Sequence, residues 1–104
     1  MSAKGKKILV VEKDDATREL IVMRLSARHH KVFEATKSKQ IMKILEKDVV
    51  DLILLSSAME PVNGKTPIRL IRSKSHLMAV PVIMLTEESR LTELMLGHEK
   101  GFDD

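Results

Sequence analysis

The stretch Asp51-Leu52-Ile53-Leu54-Leu55 is a short apolar run that begins with an acid and continues into Ser56-Ser57-Ala58-Met59. The pair Asn63-Gly64, which is typical of tight turns, follows a few residues later. An uninterrupted apolar run of this length is typical of a strand that is covered on both faces. We therefore predict a buried strand over 51–55 that leads into a polar loop.

Three further segments have the same strand character. The run Ile8-Leu9-Val10-Val11 predicts a strand over 7–12, and a brief extended segment is expected over 32–36. Pro81 opens the run Val82-Ile83-Met84-Leu85, which predicts a fourth strand.

Helical periodicity separates these strands. Asp14 or Asp15 can cap a first helix. Its predicted core-facing stripe consists of Ala16, Leu20, Met23 and Ala27, widened by Ile21 and Leu25. A second helix is expected after a cap near Ser38, with Ile41, Ile44 and Leu45 facing the core.

Two more helices complete the alternation. Thr66 and Pro67 form a capping residue followed by proline at the first helical position, and Ile68 with Ile71 supply the buried face. The fourth predicted helix carries Leu91, Leu94 and Met95 and ends around Gly101.

Strict alternation of strand and helix predicts an α/β fold, a three-layer α/β/α sandwich around a parallel sheet with right-handed crossovers. Ligands bind at the carboxyl ends of the strands in such sheets. Glu12, Lys13, Ser56 and Thr86 all follow or end predicted strands. We therefore expect them at one edge of the sheet.

Composition narrows the class of protein. The 104 residues suit one domain over 7–104, preceded by a mobile tail over 1–6. There is no cysteine, signal peptide or spanning apolar segment, so we expect a cytoplasmic domain without membrane contact. The net charge is +3 from scattered residues and only two aromatic residues are present, so direct nucleic-acid binding is not expected.

The ordered motifs resemble the receiver domains of two-component response regulators, which are CheY-like. The resemblance rests on Ile8-Leu9-Val10-Val11-Glu12 with Arg18, on 51–59 with Asn63-Gly64, and on 81–86. It implies a flavodoxin-like doubly wound sheet of order 2-1-3-4-5. The sequence stops at Asp104, before the fifth strand that the resemblance implies.

The resemblance also assigns site positions, and this sequence departs from the family at several of them. Ser56 stands at the phosphoacceptor aspartate, and Glu12 with Lys13 stand at the pair of magnesium-binding acids. Thr86 matches the switch hydroxyl. The acceptor loop corresponds to Ser57, Ala58 and Met59. Magnesium prefers carboxylate oxygens in octahedral array, so no metal site and no cofactor are expected, and magnesium binding should be weak or absent.

Two further hypotheses concern the charges near Glu12. Lys13 replaces the metal by pairing its ammonium with Glu12 or with the hydroxyls of Ser56 and Ser57, or it points into solvent. Alternatively, Asp14 or Asp15 provides a non-standard magnesium and phosphorylation site. A third, more distant alternative is a nucleotide-binding α/β domain, but no glycine-rich phosphate loop follows the first strand.

The departures favour a pseudo-receiver, a binding module rather than an enzyme. A serine hydroxyl needs a neighbouring base before it attacks, and the sequence offers none. The resemblance implies protein partners, namely a sensor kinase, an output domain or another regulator. It also suggests a homodimer through the fourth-helix face.

Overall fold

Four parallel strands form the centre of the molecule, which is described by a computed structural model over residues 5–86. The strands are β1 (Lys7–Val11), β2 (Lys31–Ala35), β3 (Leu52–Ser56) and β4 (Val82–Leu85). Their order is β2-β1-β3-β4, and each adjacent pair is parallel. This is the predicted α/β architecture and the first four strands of the predicted order.

Three helices connect the strands. They are α1 (Asp15–Ala27), α2 (Ser38–Lys47) and α3 (Pro67–Arg72), and a short 3₁₀ turn at Ser75–Leu77 follows α3. Right-handed crossovers in this strand order place α1 on one face of the sheet and α2 with α3 on the other.

Local chemistry explains the helix ends. Asp14 caps α1 through a bond from Thr17 N, and Thr66 caps α3 with Pro67 as the first helical residue, as predicted. The N-cap of α2 is Lys37 and not Ser38. Ser38 is the first helical residue and is buried, and its hydroxyl donates to the carbonyl of Glu60.

The main core lies between the sheet and the pair α2 and α3. Leu9, Ile53 and Val82 from the strands are fully buried there. The helical members of this core are Ile41, Leu45, Ile68 and Ile71, all of which the sequence predicted.

The prediction for α1 was right about Ile21 and Leu25, which are half-buried, and wrong about the other four residues of the core-facing stripe. Ala16, Leu20, Met23 and Ala27 are exposed, with 46% of Leu20 and 63% of Met23 accessible. The half-buried positions are Arg18, Val22 and the two predicted residues Ile21 and Leu25. Successive helical residues are rotated by about 100°, so the half-buried set points about 180° away from the four exposed residues.

Several predictions concern residues outside 5–86. The fourth helix with Leu91, Leu94 and Met95, its proposed dimer face and the close at Gly101 all lie there. Of the predicted mobile tail, only Gly5 and Lys6 are described, and Lys6 N donates to His30 Nδ1 at 2.9 Å. Among the helices described, none is both long and apolar enough to cross a membrane.

Candidate functional site

The carboxyl ends of β1, β3 and β4 surround a cavity of about 750 Å³. The lining includes Glu12, Lys13, Ser56 and Thr86, the four strand-end residues that the sequence placed at one edge. Ser57 and Ala58 also line it. Met59 does not line this cavity: it packs against the main core and lines a second cavity nearby.

Ser56 is the last residue of β3 and is buried, with 7% of its surface accessible. Its Oγ accepts a hydrogen bond from Ala58 N at 3.2 Å, and Ser57 N donates to the carbonyl of Leu85 at 2.8 Å. The hydroxyl is therefore held in the turn that leaves the strand. Within residues 5–86, no carboxylate or imidazole is hydrogen-bonded to it, so no base is in place to activate it.

Glu12 follows β1 directly and is also buried. Its backbone N donates to the carbonyl of Ala35 at 3.0 Å, which continues the pairing of β1 with β2. One carboxylate oxygen, Oε2, accepts from Asp14 N at 3.1 Å. Part of the hydrogen-bonding capacity of this carboxylate thus serves the turn between β1 and α1.

Lys13 is exposed and lines both cavities. In the described part of the chain, its ammonium makes no hydrogen bond or salt bridge to Glu12, Ser56 or Ser57. The pairing that would let Lys13 stand in for a metal ion is therefore not formed in this structure.

Asp14 and Asp15, the two acids of the alternative site, are engaged in local contacts. Asp14 Oδ2 accepts from Thr17 Oγ1 at 2.6 Å and from Thr17 N at 2.9 Å, and these bonds lower the pKa of Asp14. Asp15 pairs with Arg18 at 2.7 Å. Only Asp14 lines the first cavity; Asp15 lines the second.

Arg18 links α1 to β1 and β2. The sequence associated this residue with the acidic corner only through the family resemblance. Its guanidinium donates to the carbonyl of Glu12 at 3.0 Å, to Asp15 at 2.7 Å and to Glu34 at 3.2 Å. The bond to Asp15 is the main cause that raises the pKa of Arg18. In the sequence, the spacing of three residues between Asp15 and Arg18 on a predicted helix indicates that these two side chains can form an ion pair.

The first cavity is lined by two carboxylates, those of Glu12 and Asp14. Magnesium is held by carboxylates in near-octahedral geometry. Here the groups at the family's ligand positions are one carboxylate, one ammonium and one hydroxyl, from Glu12, Lys13 and Ser56. Among residues 5–86 there is no group of three acid or histidine side chains that could hold a metal.

Comparison with known proteins identifies the family. The sequence profile of the response regulator receiver domain matches residues 8–104. The chain belongs to the response regulator receiver domain family. In this receiver domain the cavity lies at the carboxyl ends of the strands, and Ser56 is the last residue of β3.

Relatives of this receiver domain agree with that assignment. The transcriptional regulatory protein GltR of Pseudomonas aeruginosa is 33% identical over 104 residues, which is 100% of this chain and 43% of GltR. The receiver chain therefore spans less than half the length of this curated relative.

Solved structures share the fold. A putative response regulator from Chloroflexus aurantiacus matches with a TM-score of 0.84 at 22% identity, covering 97% of this chain and 83% of that one. The chemotaxis response regulator CheY4 of Vibrio cholerae matches with a TM-score of 0.74 at 19% identity, covering 95% and 85% respectively. At these identities the likeness concerns the fold.

Proposed function

We propose that this receiver domain is a pseudo-receiver, which works by protein–protein interaction without aspartyl phosphorylation. The observation that carries the proposal is the buried hydroxyl of Ser56 at the end of β3, bonded to Ala58 N, where the family resemblance expects an aspartate. A carboxylate forms a labile acyl phosphate, whereas an unactivated hydroxyl does not react under the same conditions.

The charges around Ser56 support the same conclusion. Lys13 puts a positive charge where the family has a metal-binding acid, and a positive charge nearby disfavours a divalent ion. Without a divalent ion, the developing charge on a phosphoryl group has no metal to neutralise it. We therefore propose that magnesium binds weakly or not at all, and that the domain does not catalyse its own phosphorylation.

A second candidate is a phosphorylatable receiver that uses Asp14 or Asp15. One observation favours it: Asp14 is exposed and lines the same cavity as Ser56. Against it, Asp14 already accepts two hydrogen bonds from Thr17, and the carboxylate of Asp15 is paired with Arg18. A phosphoryl acceptor at either position would give up those bonds.

Treatment with acetyl phosphate and magnesium, followed by intact-mass analysis, separates the two candidates. The pseudo-receiver gains no phosphoryl group, and its amide NMR signals around Glu12 and Ser56 do not move on titration with magnesium. A mass increase of one phosphoryl group at Asp14 or Asp15 would establish the second candidate and reject the first.

The matched control is a variant in which the family acids are rebuilt, Lys13→Asp with Ser56→Asp. It restores two carboxylates beside Glu12 in an otherwise unchanged cavity. We expect this variant to bind magnesium and to accept a phosphoryl group at position 56. Its reaction under identical conditions would show that the wild-type chain is inert because of these two residues.

We further propose that the domain works in the cytoplasm and contacts a sensor kinase, an output domain or another regulator. GltR is a transcriptional regulatory protein, and the matched region is less than half of it. By analogy, this receiver would modulate an attached output domain. The scattered positive charge of the chain supports no direct role in nucleic-acid binding.

A further inference from the structure

The outward face of α1 carries an exposed apolar stripe that no contact in the described chain uses. Ala16, Leu20, Met23 and Ala27 are all exposed and lie within an arc of about 60° on the helix. The face that packs on the sheet is on the opposite side, at Arg18, Ile21, Val22 and Leu25. The stripe therefore projects directly away from the sheet.

The spacing of the stripe is that of a coiled-coil seam. Its members are separated by four, three and four residues, which is the alternation of a and d positions in a heptad. In this frame Leu20 and Ala27 are a positions, and Ala16 and Met23 are d positions. Arg18 and Leu25, which face the sheet, are at f, the position farthest from the seam.

Two charged residues flank the stripe on opposite sides. Glu19 is at the g position and Arg24 is at the following e position. Both are exposed, and neither makes a hydrogen bond or an ion pair within residues 5–86. Each has one charged neighbour four residues away, and that neighbour carries the same sign: Asp15 for Glu19, and Arg28, just after α1, for Arg24. Neither residue therefore has an oppositely charged neighbour at this spacing.

We infer that the outward face of α1 binds the same face of a second copy of this chain, with the two α1 helices parallel and related by a two-fold axis along them. A parallel pair brings Glu19 of each helix next to Arg24 of the other, twice by symmetry. An antiparallel pair would instead put Glu19 on the same edge as the second Glu19, and Arg24 on the same edge as the second Arg24. The charge pattern therefore favours a second copy of this chain with its α1 helix in the parallel direction.

The contact is small. A helix of 13 residues is about 20 Å long, and one such pair buries less than the roughly 1,200–2,000 Å² of stable complexes. The association is therefore weak and reversible, and it depends on the local concentration of the domain.

Sedimentation of the 104-residue chain over a range of concentrations up to about 1 mM tests the inference. We expect a monomer–dimer equilibrium. Glu19→Arg and Arg24→Glu should each weaken the dimer by about tenfold, because two attractive pairs become repulsive. The double variant should restore it. Glu46→Arg and Lys43→Glu on the exposed side of α2 are charge-matched controls that should change nothing.

Cross-linking then establishes the direction, since the chain has no native cysteine. In a parallel pair residue 20 faces residue 20 of the partner, so Leu20→Cys alone should form a disulfide-linked dimer. In an antiparallel pair the link would require Leu20→Cys mixed with Met23→Cys. A chain that stays monomeric throughout, a dimer insensitive to the single charge reversals, or a link formed only in the mixture would overturn the inference.

Discussion

The two faces of the sheet are covered in different ways. On one face α2 and α3 supply fully buried residues such as Ile41 and Ile71 to a continuous core. On the other face α1 has no buried residue at all. It is connected to the sheet edge by Arg18, whose guanidinium reaches Glu12 and Glu34.

The two faces differ in how much apolar surface their helices remove from water. The face with α2 and α3 removes its apolar side chains from water, which is the dominant favourable term in folding. Ile8 and Val10 of β1 are buried outside that core, whereas α1 itself supplies only half-buried residues and leaves Leu20 and Met23 on its outer surface. The loop after β1 leads to α1 and the loop after β3 leads to α3, and both loops line the strand-end cavity. Both faces of the sheet therefore help to position the site.

The largest effect is expected when a leucine is replaced by alanine on each of the two faces and the losses of stability are compared. Leu45→Ala on α2 removes a side chain that is 5% exposed and should cost about 2–5 kcal/mol in the free energy of unfolding. Leu20→Ala on α1, where 46% is exposed, should cost less than about 1 kcal/mol. Urea unfolding of both variants at low protein concentration gives the difference. Equal losses would contradict the contrast between the faces.

A second variant tests the polar attachment of α1. Arg18→Met keeps the length of the stem and removes the bonds to Glu12, Asp15 and Glu34. We expect the melting midpoint to fall by several degrees, because the carbonyl of Glu12 loses its donor. Arg24→Met, at an exposed position of the same helix, is the control and should leave the midpoint nearly unchanged at low protein concentration, where the chain is monomeric.

A smaller effect of opposite sign is expected where α1 ends. His29 has φ +66°, and His29 N and His30 N bond back to the carbonyls of Ser26 and Leu25. This left-handed position favours glycine, so His29→Gly should stabilise the domain by about 0.5–1 kcal/mol. Asn63→Gly is the control, since asparagine tolerates its φ of +51° well. A loss of stability in His29→Gly would show that the histidine side chain contributes more than its backbone costs.

The smallest effect concerns the cap of α1. Hydrogen bonds from Thr17 hold the pKa of Asp14 below its ordinary value. Because the pKa is lowered in the folded state, the contribution of the cap is present above the ordinary aspartate value of about 3.9 and is lost as the pH falls through the lowered pKa. An NMR titration should show the pKa of Asp14 rising in Thr17→Val but not in Thr17→Ser. An identical pKa in both variants would exclude the hydroxyl as its cause.

Much of the fold followed from local patterns. The apolar runs located all four described strands to within one or two residues, and Thr66 with Pro67 marked the start of α3. The 3₁₀ turn at Ser75–Leu77 was missed, because three residues carry no usable periodicity. The N-cap of α2, expected near Ser38, is Lys37, and the hydroxyl of Ser38 bonds to the carbonyl of Glu60, a contact between residues distant in sequence.

The sequence predicted where the site residues lie but not all of the contacts that they make. Parallel strands bring their carboxyl ends together, so Glu12, Ser56 and Thr86 were expected at one edge and do line one cavity. Local reasoning predicted that Asp14 could cap α1, and Asp14 does accept from Thr17 N. It left open whether Lys13 pairs with Glu12 and the serines or points into solvent; Lys13 is exposed and forms no such pair in the described chain.

Apolar periodicity and residue type were enough to predict the order of strands and helices, the parallel sheet and the chemical character of the site. The side of α1 that packs on the sheet could be established only from the folded domain. The helix has apolar residues on two opposite faces, so its periodicity is equally compatible with either orientation. The side carrying Arg18 faces the sheet, since only there can its guanidinium reach both the carbonyl of Glu12 and the carboxylate of Glu34.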